Sequence, residues 1–174
     1  MGEDINDKQA AHDWQSKKTQ YRNLDVLIQA GEFTLARLPP ASSIPTCVLN
    51  LLSEPLKPGG EPFFCTVSRT HEELSILVST STGLAVKELE KAVGPSEGGH
   101  GLDGPWKAFR IRGPMEFHLV GVLLEFSRCL AQRAISIFAI STWDTDYICV
   151  KEDNFANACQ ALKDDGWNVL DKTD

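Results

Sequence analysis

Apolar and polar positions alternate most clearly in the second half of the chain. Apolar residues recur at helical spacing between Leu119 and Gln132, and two runs rich in β-branched and aromatic residues flank a polar stretch after Ile135. The pattern predicts, in order, a strand at 106–112, a helix at 119–132, a hairpin at 135–151, a helix from Asp153 or Asn154 to Gly166, and a strand at 167–170. This order is typical of the split βαβ, or ferredoxin-like, arrangement, in which two helices cover one face of an antiparallel four-stranded sheet.

The hairpin at 135–151 is the stretch around which we expect the rest of the chain to be arranged. Ser141, Thr142, Asp144 and Asp146 crowd its middle, where a turn tolerates polar residues and the interior of a sheet usually does not. These side chains either only form a turn or also bind a ligand.

The first half of the chain shows a similar but less regular pattern. It predicts a hairpin of strands at 24–28 and 33–38, a short helix after Ser42 or Ser43, a second hairpin of strands at 63–67 and 74–78, a helix at 83–93, and a flexible Gly-rich loop at 94–104. The glycines of that loop match a dinucleotide-binding pattern, but a strand and not a helix follows them, so we expect no nucleotide there.

The second hairpin of the first half weakly repeats the hairpin of the second half. With a one-residue gap at His71, residues 67–70 lie over 140–143, and Leu74 stands where the second half has Asp146. We therefore predict an α+β fold with two ferredoxin-like (βαββαβ) domains in tandem, the first irregular. The predicted boundaries are an N-terminal extension at 1–23, a first domain at 24–100 that ends in the Gly-rich loop, and a second domain at 101–174.

Composition narrows the classes of function. The 174 residues are 42% hydrophobic and 24% charged, which is typical of a globular protein. A formal charge of -7 argues against a nucleic-acid or anionic-membrane surface, since both need clustered basic residues. No apolar run has the length of a membrane span, and no targeting segment is recognisable.

Cysteine and histidine usage gives no sign of a metal or a redox site. The five cysteines form an odd set without a Cys-x-x-Cys pair, which favours a reduced, cytoplasmic protein. None of the four histidines lies at ligand spacing from a cysteine or from another histidine. We expect neither a structural metal nor a cofactor.

Three stretches carry a resemblance to a known family. The hairpin from Ile135 to Glu152, together with Phe33–Pro40 and Ser68–Ile76, resembles the small tandem ACT-domain proteins related to the CASTOR arginine sensors. The resemblance covers most of the chain after Leu24. It implies a regulatory module that binds an amino acid, arginine or another, at an interface between paired ACT domains. It also implies a homodimer, because a chain with two such domains corresponds to half of a four-domain sensor.

The resemblance implies a divided ligand site. One domain would contribute Ser136 and Ile137 at the start of a strand, and its partner would contribute the turn with Ser141, Thr142, Trp143 and Asp146. The loop from Gly113 through Met115 to His118 occupies the place where ACT domains receive a ligand. From the residues themselves, the N-terminus of the helix near Gly121 favours an anion, and Asp146 can pair with an ammonium group. Gly113 and Gly121 also remove side chains that would obstruct close approach.

Each of these residues has an alternative interpretation. Asp144 can serve only its own turn backbone, Asp146 can make a structural hydrogen bond, Trp143 can pack on a partner chain, and Ser136 can be only a small strand residue. As an enzyme, the chain would use Asp144 and Asp146 to bind a divalent metal, but no nucleophile or phosphate-binding loop accompanies them. A protein-interaction module without a ligand is the remaining alternative.

The combined interpretation is a cytoplasmic, non-catalytic sensor protein. We expect it to bind an amino acid between ACT domains, to form a homodimer, to contact a protein target through a surface that the ligand alters, and to bind neither nucleic acid nor membrane. Asp146→Ala should abolish the ligand response and Asp144→Ala should matter much less.

Overall fold

The computed structural model describes residues 13–55, 63–80, 83–95, 99–115 and 119–171. Its helices are α1 at 13–20, α2 at Thr46–Ser53, α3 at Gly83–Val93, α4 at Val122–Ala131 and α5 at Glu152–Asp164. Its strands are β1 at Val26–Ile28, β2 at Phe33–Leu38, β3 at Cys65–Arg69, β4 at Leu74–Ser79, β5 at Gly101–Ile111, β6 at Phe138–Ser141, β7 at Asp146–Lys151 and β8 at Val169–Asp171. None of the helices in these ranges has the length and apolar composition that a membrane crossing requires.

The described residues of 31–106 form one compact unit. Its elements follow the order β2, α2, β3, β4, α3 and the first part of β5, and its antiparallel strands lie in the order β3-β4-β2-β5. This is a complete ferredoxin-like set of elements. Apolar side chains from the sheet and both helices form its core: Ala36, Leu38, Cys47, Val48, Leu74, Ile76, Val78 and Leu89.

The predicted loop at 94–104 is wrong from Gly101 onward. Strand β5 begins at Gly101, and Leu102 pairs with Ala36 of β2. Glycine, aspartate and proline are poor strand formers in isolation, but pairing with an adjacent strand overrides that local preference.

The described residues of 1–30 and 107–174 form the other compact unit. The second part of β5, followed by α4, β6, β7, α5 and β8, repeats the same order of elements. The strands lie in the order β6-β7-β5-β1-β8, so the pattern is ferredoxin-like with β1 added between β5 and β8. The core includes the fully buried side chains of Leu24, Val26, Phe109, Ile111, Phe126, Leu130, Ile148, Val150, Ala158 and Leu162.

The predicted hairpin of strands 24–28 and 33–38 is wrong. Strand β1 pairs antiparallel with β5 and parallel with β8, so Val26 lies between Ile111 and Val169 and is completely buried. The glycine-containing segment after β1 has the spacing of a hairpin loop. Pairing on both sides satisfies more backbone groups than a two-stranded hairpin can, which is the physical reason for the difference.

The compact units differ from the predicted domain division in two respects. Strand β1 belongs with the C-terminal half, and the boundary inside β5 follows Trp106. The division into domains at residues 23 and 100 stays a prediction. Of the predicted N-terminal extension, residues 1–12 lie outside the described residues, while residues 13–20 are helical.

Candidate functional site

The turn between β6 and β7 is closed by its own backbone. The Thr142 N–H donates a 2.8 Å hydrogen bond to the Thr145 carbonyl, and the Thr142 hydroxyl donates to the same oxygen over 3.1 Å. Ser141 and Asp146 are the last residues to pair before the turn. Threonine, serine and aspartate therefore serve the turn here as the sequence pattern predicts.

Ser141 and Asp146 are also linked through their side chains. The Ser141 hydroxyl donates a 2.6 Å hydrogen bond to Oδ1 of Asp146, which is half-buried at the first position of β7. Hydrogen bonds to an ionised carboxylate are short and roughly twice as strong as neutral ones. This bond orients the carboxylate, and a carboxylate has lone pairs for further donors.

Two hydrogen bonds join the turn to the end of β5 and to the segment that follows this strand. The buried Thr145 hydroxyl donates to the Ile111 carbonyl, and the Met115 N–H donates a 2.7 Å bond to the Asp144 carbonyl. Asp144 thus contributes its backbone to the construction of the site. The turn and the segment 111–115 are held as one piece.

Gly113 allows this close approach. Its φ is +70°, and a Cβ built on it would lie 2.7 Å from the Asp144 carbonyl oxygen, which is nearer than real Cβ atoms come. A side chain at position 113 would therefore be strained in its backbone and would also push the turn away. Gly113 therefore admits the backbone of the turn, and the predicted close approach of a ligand to this glycine stays a prediction.

A cavity of about 300 Å³ lies between the turn, the Met115 segment and the first turn of α4. Its lining includes the predicted residues Met115, Gly121, Ser141, Thr142, Trp143 and Asp146. The lining also includes Leu119, Val122, Leu123, Asp144 and Thr145. The three apolar residues among these belong to the stretch with helical spacing, and such spacing cannot show which helical turn ends at a cavity.

The cavity offers opposite electrostatic preferences at its two sides. Gly121 precedes α4 in a left-handed conformation with φ +85°, and among the described residues no side chain caps the helix. The N-terminal end of a helix favours anions because its first N–H groups lack partners within the helix. Asp146 supplies a carboxylate at the other side. The arrangement suits a ligand that carries both a negative and a positive group.

Three predicted residues, Gly113, Ser136 and Ile137, do not line the cavity. Ser136 is exposed, and Ile137 packs against the core of its unit; both precede β6, which begins at Phe138. Their contribution to a site formed with a partner stays a prediction. Of the predicted loop 113–118, residues 116–118 lie outside the described residues.

Large apolar side chains beside the cavity are unusually exposed. Trp143 is 82% exposed, Val120 84% and Leu124 67%. Clustered exposed apolar side chains commonly mark an interaction site.

Comparisons with known proteins agree with this architecture. A family model described as "ACT domain" matches residues 102–164, which include every described residue of the cavity lining. No curated protein matches the chain. Among solved structures, protein Atu0741 from Agobacterium tumefaciens is 24% identical with a TM-score of 0.62, over 86% of this chain and 94% of that chain.

Two further similar structures come from aspartate kinases. The regulatory subunit of aspartate kinase from Thermus thermophilus, in its ligand-free form, is 15% identical with a TM-score of 0.53, over 80% of this chain and 95% of that chain. Aspartate kinase from Synechocystis is 12% identical with a TM-score of 0.56, over 87% of this chain and 28% of that chain. At these identities the likeness shows a ferredoxin-like, ACT-type fold.

Proposed function

We propose that this protein is a non-catalytic regulatory protein that binds a free amino acid in the cavity between the 141–146 turn and α4. The observation that carries the proposal is the cavity itself, because it combines an uncapped helix N-terminus with an oriented carboxylate inside the stretch that matches an ACT domain. An amino acid has a carboxylate for the helix end and an ammonium for Asp146.

The apolar residues of the lining can contact the side chain of a bound amino acid. Met115, Leu119, Val122 and Leu123 contribute apolar surface, and a cavity of about 300 Å³ is at the lower end of small-molecule sites. A single amino acid is in the size range of such a space. Both the charges and the size of the cavity therefore favour a free amino acid as the ligand.

A second copy of the chain would complete the site in our proposal. Trp143, Val120 and Leu124 supply exposed apolar surface for a homodimer, and Ser136 and Ile137 of the second copy would then approach the ligand. Ligand binding would favour one arrangement of the paired domains and so change the surface offered to a protein target. Only a difference in ligand affinity between two arrangements can produce such a response.

The cysteines give no support to covalent catalysis. Burial raises the pKa of Cys149 to about 12 and that of Cys129 to about 11, so both thiols stay protonated at neutral pH. Within the described ranges, no group of three or more His, Cys, Asp or Glu residues is placed to bind a metal. Nothing in the geometry favours the Asp144 and Asp146 pair as a metal site over the amino-acid site.

Thermal-shift measurement with each of the twenty proteinogenic amino acids tests the proposal. We expect at least one to raise the Tm of the wild-type protein, since a ligand at one hundred times its Kd adds about 2.7 kcal/mol of stability. Asp146→Ala should abolish that shift, and the matched control Asp144→Ala should largely keep it. Calorimetric titration of the amino acid that gives the largest shift then measures Kd and stoichiometry.

The outcomes separate the alternatives. If no amino acid shifts the Tm and the protein is still a dimer by light scattering, the interaction module without a ligand replaces our proposal. Metal-dependent hydrolysis of a phosphate ester or a sugar nucleotide, lost in Asp144→Ala, would instead show an enzyme.

A further inference from the structure

Helix α1 is fixed to its unit by a buried lysine. The Lys18 side chain is 1% exposed, and its Nζ lies 2.5 Å from Oδ2 and 3.3 Å from the carbonyl of Asp165, just beyond the end of α5. It also lies 3.7 Å from Oε2 of Glu125 and 5.2 Å from the centre of the Trp167 ring. Lysine is almost never fully buried unless it is paired, so this residue determines where α1 can dock.

The acidic partners of Lys18 are shared with an arginine of α4. Nη2 of Arg128 lies 2.9 Å from Glu125 and 3.2 Å from Asp165. Two cations and two carboxylates therefore form a closed cluster that joins α1, α4 and the end of α5. Removal of one buried partner leaves charge uncompensated, which is costly.

The other end of α1 lies against the candidate site. A Cβ built on Gly121 would be 3.5 Å from Cζ2 of Trp14, so the indole covers the residue that precedes α4. Gly121 also lines the amino-acid cavity. The segment 119–121 is thus bounded by the cavity on one side and by α1 on the other.

The space between α1 and this segment is not fully packed. A second cavity of about 290 Å³ is lined by Trp14, Lys17, Tyr21, Leu24, Leu119 and Val120. Leu119 lines both cavities. The contact of α1 with residues 119–120 is therefore loosely packed, whereas its contact at Lys18 is strongly fixed. Such an arrangement lets α1 move without disrupting the core, and elements that respond to ligands are drawn from regions of this kind.

We propose that α1 is a strap whose docked position and the occupancy of the amino-acid site stabilise each other through residues 119–121. The occupancy part of this inference rests on the proposed function. Because coupling between two sites is reciprocal, a ligand that orders the wall of the cavity must hold α1 more firmly, and release of α1 must weaken the ligand.

Hydrogen exchange without any ligand tests the mechanical link. In Lys18→Met, amides of residues 13–20 should exchange at least about tenfold faster than in the wild type, and those of 119–123 and 141–146 should accelerate as well. Lys17→Met is the matched control, because the Lys17 ammonium lies 2.7 Å from Asp13 and 5.2 Å from the centre of the Trp14 ring, and both of these contacts lie within α1 itself. Its exchange should stay close to that of the wild type.

Trp14→Ala provides the second variant should Lys18→Met fail to fold. It removes the contact with Gly121 and keeps the charge cluster, so residues 119–123 should exchange faster while α5 is unchanged. Faster exchange in α1 alone, with 119–123 and 141–146 unaffected in both variants, would overturn the strap.

A mixture of the twenty proteinogenic amino acids tests the link to occupancy. In the wild type the mixture should slow the hydrogen exchange of the amides at 141–146 and also of those at 13–20. In Asp146→Ala it should slow the exchange of neither set. Slower exchange at 141–146 alone would overturn the coupling and keep the proposed function. No effect at 141–146 would remove the proposed function and the occupancy part of the strap, while the ligand-free comparison would still decide the mechanical link.

Discussion

The hairpin of β3 and β4 and the hairpin of β6 and β7 have the same turn and different chemistry. In one, Arg69 pairs with Leu74 across residues 70–73; in the other, Ser141 pairs with Asp146 across residues 142–145. In both, the threonine that opens the turn donates its N–H to the carbonyl three residues later, at 2.9 Å in the first and 2.8 Å in the second. The two turns therefore share one backbone conformation, and they differ in the residues on either side of the turn.

The residue after each turn shows the first difference. Leu74 is completely buried in the core of its unit, whereas Asp146 is half-buried and accepts a bond from Ser141. The same position serves packing in one unit and an oriented carboxylate in the other.

The residue before each turn shows the second difference. The Arg69 guanidinium donates to the carbonyls of Pro40 and Ser42, in the segment that links β2 to α2. Ser141 stands at the equivalent position, and there the turn and the segment that links β5 to α4 enclose the cavity. One unit thus bridges these segments with its own cation, and the other leaves room for a ligand.

Swapping the residue types that follow the two turns should have the largest effect on the free energy of unfolding. Leu74→Asp places an unpaired carboxylate in a core and should lower the free energy of unfolding by about 4 kcal/mol or more. Asp146→Leu should change it by no more than about 1 kcal/mol, because the side chain is only half-buried, yet should abolish the amino-acid response. Urea denaturation followed by circular dichroism measures the first quantity, and thermal shift measures the second.

Equal losses of stability in the two variants would show that position 146 is as structural as position 74. The comparison would then give no reason to place a ligand at one turn only.

A methyl group at Gly113 should give the next largest effect. Gly113→Ala combines a positive φ with a Cβ 2.7 Å from the Asp144 carbonyl, so we expect a loss of about 2–4 kcal/mol and loss of the amino-acid response. Gly94→Ala is the matched control, because Gly94 has φ +69° and, among the described residues other than its neighbours in the chain, no atom lies within 4 Å of the place that its methyl group would take. Its free energy of unfolding, measured by urea denaturation, should fall by only about 1 kcal/mol, which is the cost of the positive φ for a residue with a side chain.

If the two alanine variants lose the same stability, the close contact between residue 113 and the turn contributes nothing. The cavity would then not depend on that contact.

The second hairpin shows how far local pattern predicts a site. Its apolar flanks and its Ser, Thr and Asp residues indicated both strands and the turn, and several residues predicted for a ligand do line one cavity. The gap at His71 is wrong, because both turns have four residues between their last paired positions. Matching apolar letters across a weak repeat cannot determine the register, whereas backbone pairing does.

Features that depend on distant parts of the chain were not predictable in this way. The pairing of β1 with β5 and β8 joins residues that are far apart in sequence, and the burial of Lys18 requires Glu125 and Asp165 to be brought to α1. In the sequence, Lys18 is one lysine in a polar stretch, with no local signal that distinguishes it from Lys17. Hydrophobic periodicity describes one element at a time, so such partners remain hidden from it.

An exchange of the residues before the turns should have the smallest effect on stability and the sharpest effect on binding. Arg69→Ser removes two hydrogen bonds from an exposed side chain and should cost about 1 kcal/mol. Ser141→Arg places a guanidinium beside Asp146, where it can fill the cavity in the way that Arg69 bridges the turn and the β2–α2 segment of the other unit. The free energy of unfolding should therefore change little, and the amino-acid response should be lost.

Ser141→Ala is the control for that exchange, because it removes only the 2.6 Å bond to Asp146. Calorimetric titration should show a binding constant weakened about tenfold in the alanine variant, as expected for loss of one charge-assisted hydrogen bond, and no binding in the arginine variant. Binding that survives Ser141→Arg unchanged would mean that the ligand does not use the space in front of position 141. The equivalence between Arg69 and a bound ligand would then fail, although the shared turn geometry would stand.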